Sequence, residues 1–592
     1  MRRISGREPR EISFAEARKR AKATVAKFHQ DERGSLIVFG LVLLIMMFMI
    51  AGMAVDIIRV EVARTQIQNT LDRAVLAATD LQNAEDAKEV VNDYFKKAGL
   101  EDYMSDDQIF VDSSQNGAQL TYRMVEAKSQ ANVQTMFMHM MGIDTLVAAG
   151  ASTAEEGISE TEVSLVVDVS GSMAWNSSSG NSKIYELQEA AKDFVYFLQC
   201  DPGSERPAQL SDYNSANCAV TPEKVSISLI PYSEQVVAGS RMFEEMETTA
   251  DHNYAYCLEF APEDFDTASI IATDDENPAR QAGYFRDYPD GWNYGENWNC
   301  RDENWRQIRP FMDDYAIAAR RIDQLQAGGS TSVDYGMKWG SALLHDTFRP
   351  VIAGLTTTSD DGNAAIVNSA FATRPYGASP INAIKALVLM TDGVNDVQRM
   401  LKDEYRSGES EIWRNTENGN LSIYNASRDA GGLDAYWYPH NNSWNEVPYG
   451  EGEETQPVVE RQCTYSWWSG YRCTYVTTGY ETVEQPGSAV NIPYPKLWKD
   501  YDIDWYRSFS WLGDPLVAYA NAEKNVHTDA ICTAAKAAGI VVYTIGFEVN
   551  DGLDVLKNCA TTEGHFFRAN ADNLSDTFYA IASSIDKLRL IQ

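Results

Sequence analysis

A run of twenty residues without a charged side chain, Leu36 to Val55, constrains this chain of 592 residues more than any other feature. It reads LIVFGLVLLIMMFMIAGMAV. At a rise of ~1.5 Å per residue, a helix of this length crosses a hydrocarbon core of ~30 Å. A signal peptide has a shorter apolar core and a small-residue cleavage site, and the following DIIRVEVARTQIQ offers none. The run therefore predicts an uncleaved transmembrane helix over residues 35–58, rather than the core helix of a soluble domain.

The charges on the two sides of this run differ in sign. Residues 1–35 contain ten Lys or Arg and five Asp or Glu, and the whole chain has a formal net charge of −35, which leaves −40 for the rest. By the positive-inside rule, residues 1–34 form a basic cytoplasmic tail, and everything after Asp56 lies outside the cytoplasm. A body this acidic repels nucleic acid, so no nucleic-acid partner is expected.

All eight cysteines lie on the predicted outer side of the membrane, where an oxidising compartment favours disulfides. No CxxC or Cys/His spacing suggests zinc. Pairing each cysteine with its neighbour would join Cys200 to Cys218, Cys257 to Cys300, Cys463 to Cys473 and Cys532 to Cys559. Eight cysteines allow about 105 pairings, so the sequence leaves the connectivity open.

Beyond the apolar run, apolar residues recur at intervals of three and four and form one narrow stripe on a continuing helix. The stripe consists of Val60, Ala63, Ile67, Leu71, Ala74 and Ala78. It suits either a partner helix, which would give a homo-oligomer, or the chain's own next segment. Another helical segment and several strand-like runs follow, so residues 59–155 are predicted to form a helical stalk and a small α+β module.

Within this module, the segment MFMHMMG contains Met136, Met138, His139, Met140 and Met141. Methionine is flexible and fills irregular gaps in protein cores, so the segment is predicted to be a helix with a core-facing side. Copper binding is the alternative, because thioether and imidazole groups are soft ligands.

The segment DERGSLIVFGLVLLIMMFMIAGMAVDIIRVEVARTQIQNTLDRAVLAAT resembles the N-terminal segment of TadG-like proteins of bacterial Flp (tight adherence) pilus systems. There, an Arg-Gly precedes the membrane helix, an Asp follows it, and a Gln- and Ala-rich helix comes next. The resemblance implies a role in pilus assembly. Prepilin-like relatives are cleaved after a Gly that has Glu five positions later. Phe39 stands five residues after Gly34, so the anchor is expected to remain in place.

Later segments alternate between buried-type strands and amphipathic helices. VSLVVDVSGSM is followed by the helical KIYELQEAAKDFVYFLQ and by the strand-like VSISLIPYS, and further strands are expected at residues 385–393, 538–547 and 565–569. This order predicts an α/β fold with a doubly wound, mostly parallel sheet, in which ligands bind beyond the carboxyl ends of the strands.

Three loops at such strand ends carry oxygen-bearing side chains in a particular order. They supply Asp168, Ser170, Ser172, Thr331 and Asp392, with a glycine pair before Thr331. These residues resemble the metal-ion-dependent adhesion site of von Willebrand factor A domains. The resemblance implies that Ser170, Ser172 and Thr331 coordinate a cation, while Asp168 and Asp392 orient bound water and an Asp or Glu of a partner protein completes the shell. Such hard oxygen ligands suit Mg²⁺, with Ca²⁺ and Mn²⁺ as alternatives. The simpler alternative is that these side chains cap helices.

A von Willebrand factor A domain is expected over residues 160–590, which is far longer than a minimal domain of this kind. Insertions are therefore predicted at about 200–222, 240–310, 350–383 and 397–525. The last contains eight Trp: Trp413, Trp437, Trp444, Trp467, Trp468, Trp498, Trp505 and Trp511. Because it begins just after Asp392, it is expected to border the metal face. Its aromatic rings suit either protein or glycan binding or the core of a disulfide-pinned subdomain.

The same motifs argue against catalysis. A haloacid-dehalogenase-type phosphatase needs a second Asp two residues after its nucleophilic Asp, and Ser170 occupies that position after Asp168. VSGSM is not the Gly-x-Ser-x-Gly of serine hydrolases, and no HExxH pair occurs. We therefore expect no enzymatic activity.

Together, these features predict a single-pass protein of the bacterial inner membrane whose larger part lies in the periplasm. The resemblances imply that it assists Flp pilus assembly or anchoring by metal-dependent binding to a pilus or envelope protein. Two alternatives stay open: a passive envelope tether without a working metal site, and a surface adhesin for host protein or glycan.

Overall fold

The computed structural model describes residues 14–30, 33–80, 83, 85–116, 119–157, 160–201, 204–218, 220, 223–287, 298–360, 364–377, 383–549 and 551–591. Residues 1–13 of the predicted basic tail and parts of the first three predicted insertions lie outside them. The chain divides into two compact units, residues 1–158 and 159–591.

The described part of the first unit contains three α-helices and one antiparallel sheet in which β2 is the central strand. Its elements are α1 (Phe14–Gln30), α2 (Arg33–Thr79), α3 (Ala87–Lys97), β1 (Ile109–Asn116), β2 (Gln119–Gln134) and β3 (Thr145–Gly157).

Helix α2 is continuous from the apolar run into the folded part of this unit. The stretch Leu36–Thr79 is long and apolar enough to cross a membrane, and a window of 18 residues within it has a mean hydropathy of 2.8. Up to Ile50, its large apolar side chains are exposed, except for the half-buried Met49. Farther along, Ile67, Leu71 and Ala74 are fully buried in a cluster with residues of α3 and the sheet. The narrow stripe therefore packs within the unit, so the chain's own next segment covers it rather than a partner helix.

The Met-rich segment differs from the prediction. Only Met138–Met141 is helical, as a single 3-10 turn, and Met136, Met140 and Met141 are exposed rather than facing a core. The segment connects β2 to β3 and contacts α2 through its backbone and Phe137, which leaves these three methionine side chains exposed. The expectation of a core-facing helix was wrong.

The second unit contains one large sheet and several small ones. Its strands are β4 (Glu160–Asp168), β5 (Val225–Tyr232), β6 (Arg309–Met312), β7 (Ser359–Asp360), β8 (Ala364–Ala365), β9 (Ala383–Thr391), β10 (Gln398–Leu401), β11 (Glu409–Asn415), β12 (Leu421–Tyr424), β13 (Tyr436–Tyr438), β14 (Ser443–Asn445), β15 (Glu453–Ser466), β16 (Gly470–Glu484), β17 (Ala489–Pro493), β18 (Leu516–Tyr519), β19 (Val541–Phe547) and β20 (Phe566–Ala569).

Helices connect and cover these strands. They are α4 (Lys183–Gln199), α5 (Ser240–Glu244), α6 (Tyr315–Asp323), α7 (Val333–Ala342), α8 (Arg349–Leu355), α9 (Ala426–Ala430), α10 (Tyr494–Asp500), α11 (Ile503–Arg507), α12 (Asn521–Ala537), α13 (Leu553–Cys559) and α14 (Leu574–Ile591).

The large sheet has the order β20-β19-β9-β4-β5-β6, parallel except for the edge strand β6. Alternate residues of its strands enter two cores, one on each face. Val166 and Leu387 pack with α7 and α12, whereas Leu165 and Val388 pack with α4 and α14. The predicted doubly wound, mostly parallel α/β fold is thereby confirmed.

The segment after Asp392 forms a subdomain with its own five-stranded sheet, in the order β14-β13-β12-β11-β17, and its own core around Trp498 and Tyr506. Six of its eight Trp are buried or half-buried, which favours the interpretation as a subdomain core. The exceptions are Trp467 and Trp468 at the tip of the β15–β16 hairpin, which are 77% and 81% exposed. Just before the tip, Cys463 and Cys473 form a disulfide across the hairpin.

All eight cysteines are paired, and each is bonded to its neighbour in sequence. The disulfides are Cys200–Cys218, Cys257–Cys300, Cys463–Cys473 and Cys532–Cys559. The pairing of neighbours that the sequence left open is therefore the pairing that the structure contains.

Near the amino end of β4, the Glu162 carboxylate is fully buried. One oxygen accepts a hydrogen bond from Tyr376 N at 3.1 Å, and the other has no hydrogen-bond partner among the residues that the structure describes. Burial raises the pKa of Glu162 to about 7, although the Lys385 ammonium and the Tyr376 N–H lower it in part. Folding therefore binds a proton at this site between pH ~4.5 and ~7, and its contribution to stability falls as the pH rises through that window.

Replacing Glu162 by Gln should flatten this pH dependence, because glutamine cannot ionise. We expect the unfolding free energy of the wild type to fall by ~1–3 kcal/mol more than that of Glu162→Gln between pH 5 and pH 8. Urea denaturation at several pH values measures it, with the exposed Glu563→Gln as the control. Parallel pH profiles for wild type and Glu162→Gln would show that this carboxyl does not titrate on folding.

Candidate metal centre

The register of the central strands brings the predicted site together. Val167 of β4 lies opposite Met390 of β9. The next residues, Asp168 and Thr391, are the last residues of the two strands and therefore lie side by side. Because the two strands are parallel, their carboxyl ends open into adjacent loops. Asp168 and Asp392 therefore meet although 224 positions separate them in the sequence.

Asp168 is fully buried, and hydrogen bonds hold both of its carboxylate oxygens. Oδ1 accepts from Ser170 N at 2.8 Å, and Oδ2 accepts from the Thr391 hydroxyl at 2.7 Å. Burial and the negative charge of the neighbouring Asp392 raise the pKa of Asp168 to about 6. With both oxygens occupied in this way, Asp168 is better placed to orient its neighbours than to contact a cation directly.

A connected line of oxygens leads from Ser170 to Asp392. The Ser170 and Ser172 hydroxyl oxygens lie 3.0 Å apart, and Ser172 donates to Asp392 Oδ1 at 2.6 Å. The other oxygen, Asp392 Oδ2, accepts from the Lys183 ammonium group at 2.9 Å. Lys183 is the first residue of α4 and is itself buried. One lysine thus already offsets part of the negative charge here.

Thr331 lies on a loop that contacts the Asp168 turn through its backbone. Gly171 N donates to Gly329 O at 2.9 Å, and Gly328 N donates to Val169 O at 2.8 Å. Gly329 has φ +100°, and a Cβ there would lie 1.8 Å from Glu234 Oε2, so only glycine fits. Among the described residues, the Thr331 hydroxyl makes no hydrogen bond to the other four predicted ligands. Four of the five are linked directly, and Thr331 only through its loop.

The Thr331 loop is also held by residues at both ends of the Trp-containing insertion predicted at 397–525, which we call the Trp-rich insertion. Asp396 N donates to Thr331 O at 2.8 Å, and the buried Lys524 ammonium donates to Thr331 O at 3.2 Å and to Ser332 Oγ at 2.6 Å. Burial lowers the pKa of Lys524, although the Asp334 carboxylate 3.6 Å away raises it in part. The insertion therefore borders the predicted metal face at its base.

The helix-capping alternative does not account for these side chains. Ser170 precedes the 3-10 turn Gly171–Ala174 without a side-chain capping hydrogen bond, and α4 begins later, after Ser182. Likewise, Ser332, not Thr331, occupies the cap position of α7. The hydroxyls of Ser170 and Ser172 point to one another and to Asp392 instead.

The donor set fits a hard divalent cation. It offers hydroxyl and carboxylate oxygens, which Mg²⁺, Ca²⁺ and Mn²⁺ prefer, and two acidic side chains whose mutual repulsion a cation relieves. Within the described parts of the chain, no group of three or more His, Cys, Asp or Glu side chains could hold a metal ion.

Sequence reasoning missed three residues of this site. Thr391 was not singled out because it is the last residue of the otherwise apolar strand β9, although its position directly before Asp392 could have indicated it. Lys183 and Lys524 were not singled out because lysines near the start of a helix usually face solvent.

Comparison with known proteins agrees with the N-terminal resemblance. Residues 34–87 match the family described as Flp pilus-assembly TadE/G-like. This segment comprises the apolar part of α2 and its continuation into the folded part of the first unit. The chain thus carries a Tad-type N-terminal segment. A search of curated protein sequences found no match.

Solved structures similar to this chain include pilus proteins. The vWF domain of the type V pili tip protein Mfa5 from Porphyromonas gingivalis is 15% identical, with a TM-score of 0.28, covering 74% of this chain and 97% of that one. The PilB minor pilin from Streptococcus sanguinis is 13% identical, with a TM-score of 0.28, covering 81% of this chain and 78% of that one. The fold assignment rests on the strand order described above.

Lys183 should weaken cation binding, because a positive charge beside Asp392 repels a second cation. We expect Lys183→Met to reach half of its Mg²⁺-dependent rise in melting temperature at a roughly tenfold lower Mg²⁺ concentration than the wild type. Asp168→Ala should fold and show no such rise. Thermal unfolding across a Mg²⁺ titration measures both, with the exposed Lys557→Met as the control.

Two outcomes would contradict this account of the site. One is an unchanged Mg²⁺ midpoint in Lys183→Met, and the other is a wild-type melting temperature that does not respond to Mg²⁺ or to a chelator.

Proposed function

We propose that this protein is a membrane-anchored component of a Flp-type pilus system that binds a partner protein through a divalent cation. The match of residues 34–87 to pilus-assembly proteins carries the pilus assignment. The cluster of Asp168, Ser170, Ser172 and Asp392 at the carboxyl end of the sheet supports the mode of binding.

In this proposal, Ser170, Ser172 and Thr331 would hold the cation directly, and Asp168 and Asp392 would act through water. When bound, the cation supplies a strong Lewis-acidic contact for a carboxylate. The protein's own residues do the rest: Thr391 and Ser170 N fix Asp168, and Lys524 fixes the Thr331 loop. A partner's Asp or Glu would complete the shell.

A passive envelope tether is the second candidate, and Lys183 favours it. Its ammonium group occupies Asp392 Oδ2 at 2.9 Å, so the acidic pair is partly neutralised without any metal. In that case the sheet would keep its shape while the cation site stays unused.

Capture of partners from cells distinguishes the two candidates. Crosslinking in cells followed by purification should recover a pilus or envelope protein with the wild type and with the exposed control Asp554→Ala, but not with Asp168→Ala or after chelation. A deletion strain should also lose pili. Equal recovery with and without chelator, together with normal pili in the Asp168→Ala strain, would favour the tether and contradict the metal-dependent function.

The proposal places the N-terminus in the cytoplasm and the second unit in the periplasm of a bacterial inner membrane. A reporter that is active only outside the cytoplasm should work when fused after Thr153 and fail when fused after Lys27, because the basic residues of the tail stay inside. Activity at both positions, or a mature N-terminus near Ser35, would contradict the uncleaved anchor.

A further inference from the structure

The Met-rich segment is fastened to the end of the apolar run by a single carboxylate. Asp56 is buried, with Oδ1 accepting from Met136 N and Oδ2 from Phe137 N and Met138 N, each at 2.8 Å. Three backbone N–H groups that donate to the same carboxylate bind it strongly. Asp56 directly follows the twenty uncharged residues of α2, so this contact lies at the end of the apolar run.

A second contact fixes the same segment to the helix. A Cβ on Gly52 would lie 2.5 Å from Phe137 Cγ, so the ring of Phe137 rests directly on the helix backbone. Gly52 lies within the apolar run, three residues before its last residue, Val55, which is ~4.5 Å along the helix axis. The Arg59 guanidinium, one turn beyond the run, donates to Gln134 O at 3.1 Å. The segment is therefore held at the height of the end of the run.

At this height, the segment exposes apolar side chains. Met136 and Met140 are 60% and 71% exposed, and Phe137, Met141 and Ile143 are exposed as well. No Asp, Glu, Lys or Arg occurs between Lys128 and Asp144, although 23% of the chain is charged. These exposed apolar side chains lie on a segment that contacts α2 at Gly52, within the apolar run, and they have the chemistry of a lipid contact.

We propose that the segment Met136–Ile143 lies in the interfacial layer of the bilayer, beside α2, and forms a second membrane contact of the first unit. Asp56 and Gly52 hold it there, so the two contacts together fix how the folded part of the unit stands on the membrane surface. This inference rests on the membrane anchoring proposed above.

Site-directed spin labelling of the full chain in lipid vesicles tests the inference, because an introduced cysteine would be the one free thiol beside four disulfides. Labels are placed at Met140→Cys, at Met47→Cys in the apolar run, and at Lys96→Cys on α3. Met140 and Met47 should be accessible to oxygen and shielded from a water-soluble nickel chelate, whereas Lys96 should be accessible to the chelate. We expect the oxygen-to-nickel ratio at Met140 to exceed that at Lys96 several-fold.

The three positions separate failure of this inference from failure of the anchor. A lipid-like Met47 with a water-exposed Met140 overturns the inference and leaves the anchor intact, whereas a water-exposed Met47 overturns the anchor. A Met140 label shielded from both reagents means contact with protein instead of lipid and also overturns the inference. In the Asp56→Asn background, the Met140 label should become more mobile and more accessible to the chelate. No change there would overturn the role of Asp56.

Discussion

The carboxyl end of the large sheet depends on two acidic side chains, Asp168 and Asp392, buried beside each other where β4 and β9 end. Burying like charges at close range is costly unless hydrogen bonds and an opposite charge compensate for it. The Thr391 hydroxyl, the Ser170 amide and the Lys183 ammonium group provide that compensation. The shape of the turn after β4 follows from these contacts, and the cation binding that we propose would depend on them.

The same constraint links the site to the rest of the second unit. Thr391 and Asp392 lead directly into the Trp-rich subdomain, and its two ends, near Asp396 and Lys524, return to the loop that carries Thr331. The subdomain has its own core, and its β15–β16 hairpin is largely exposed and contributes no residue to that core. A partner bound at the metal face would therefore meet residues from both the sheet and the insertion.

Short-range patterns predicted most of the fold and the strand ends at which the candidate ligands come together. The apolar strands that lead to Asp168 and Asp392 could be predicted because strand burial and loop polarity are local properties of the sequence. The contacts of Lys183 with Asp392 and of Asp56 with the Met-rich segment were not predictable, since each joins residues far apart in the sequence through side-chain packing. The exposure of Met140 was not predictable either, because methionine also packs well in protein cores, and only the tertiary structure decides whether it is covered.

The most direct test of the central claim is the position of a bound cation. Mn²⁺ can replace Mg²⁺ at oxygen sites and scatters X-rays anomalously, so crystals of the protein grown with Mn²⁺ would locate it. The account predicts one anomalous peak bounded by the hydroxyls of Ser170, Ser172 and Thr331, and none in Asp168→Ala. Full Mn²⁺ occupancy elsewhere, with the Lys183 ammonium still on Asp392 and no peak beside Ser170, would contradict it.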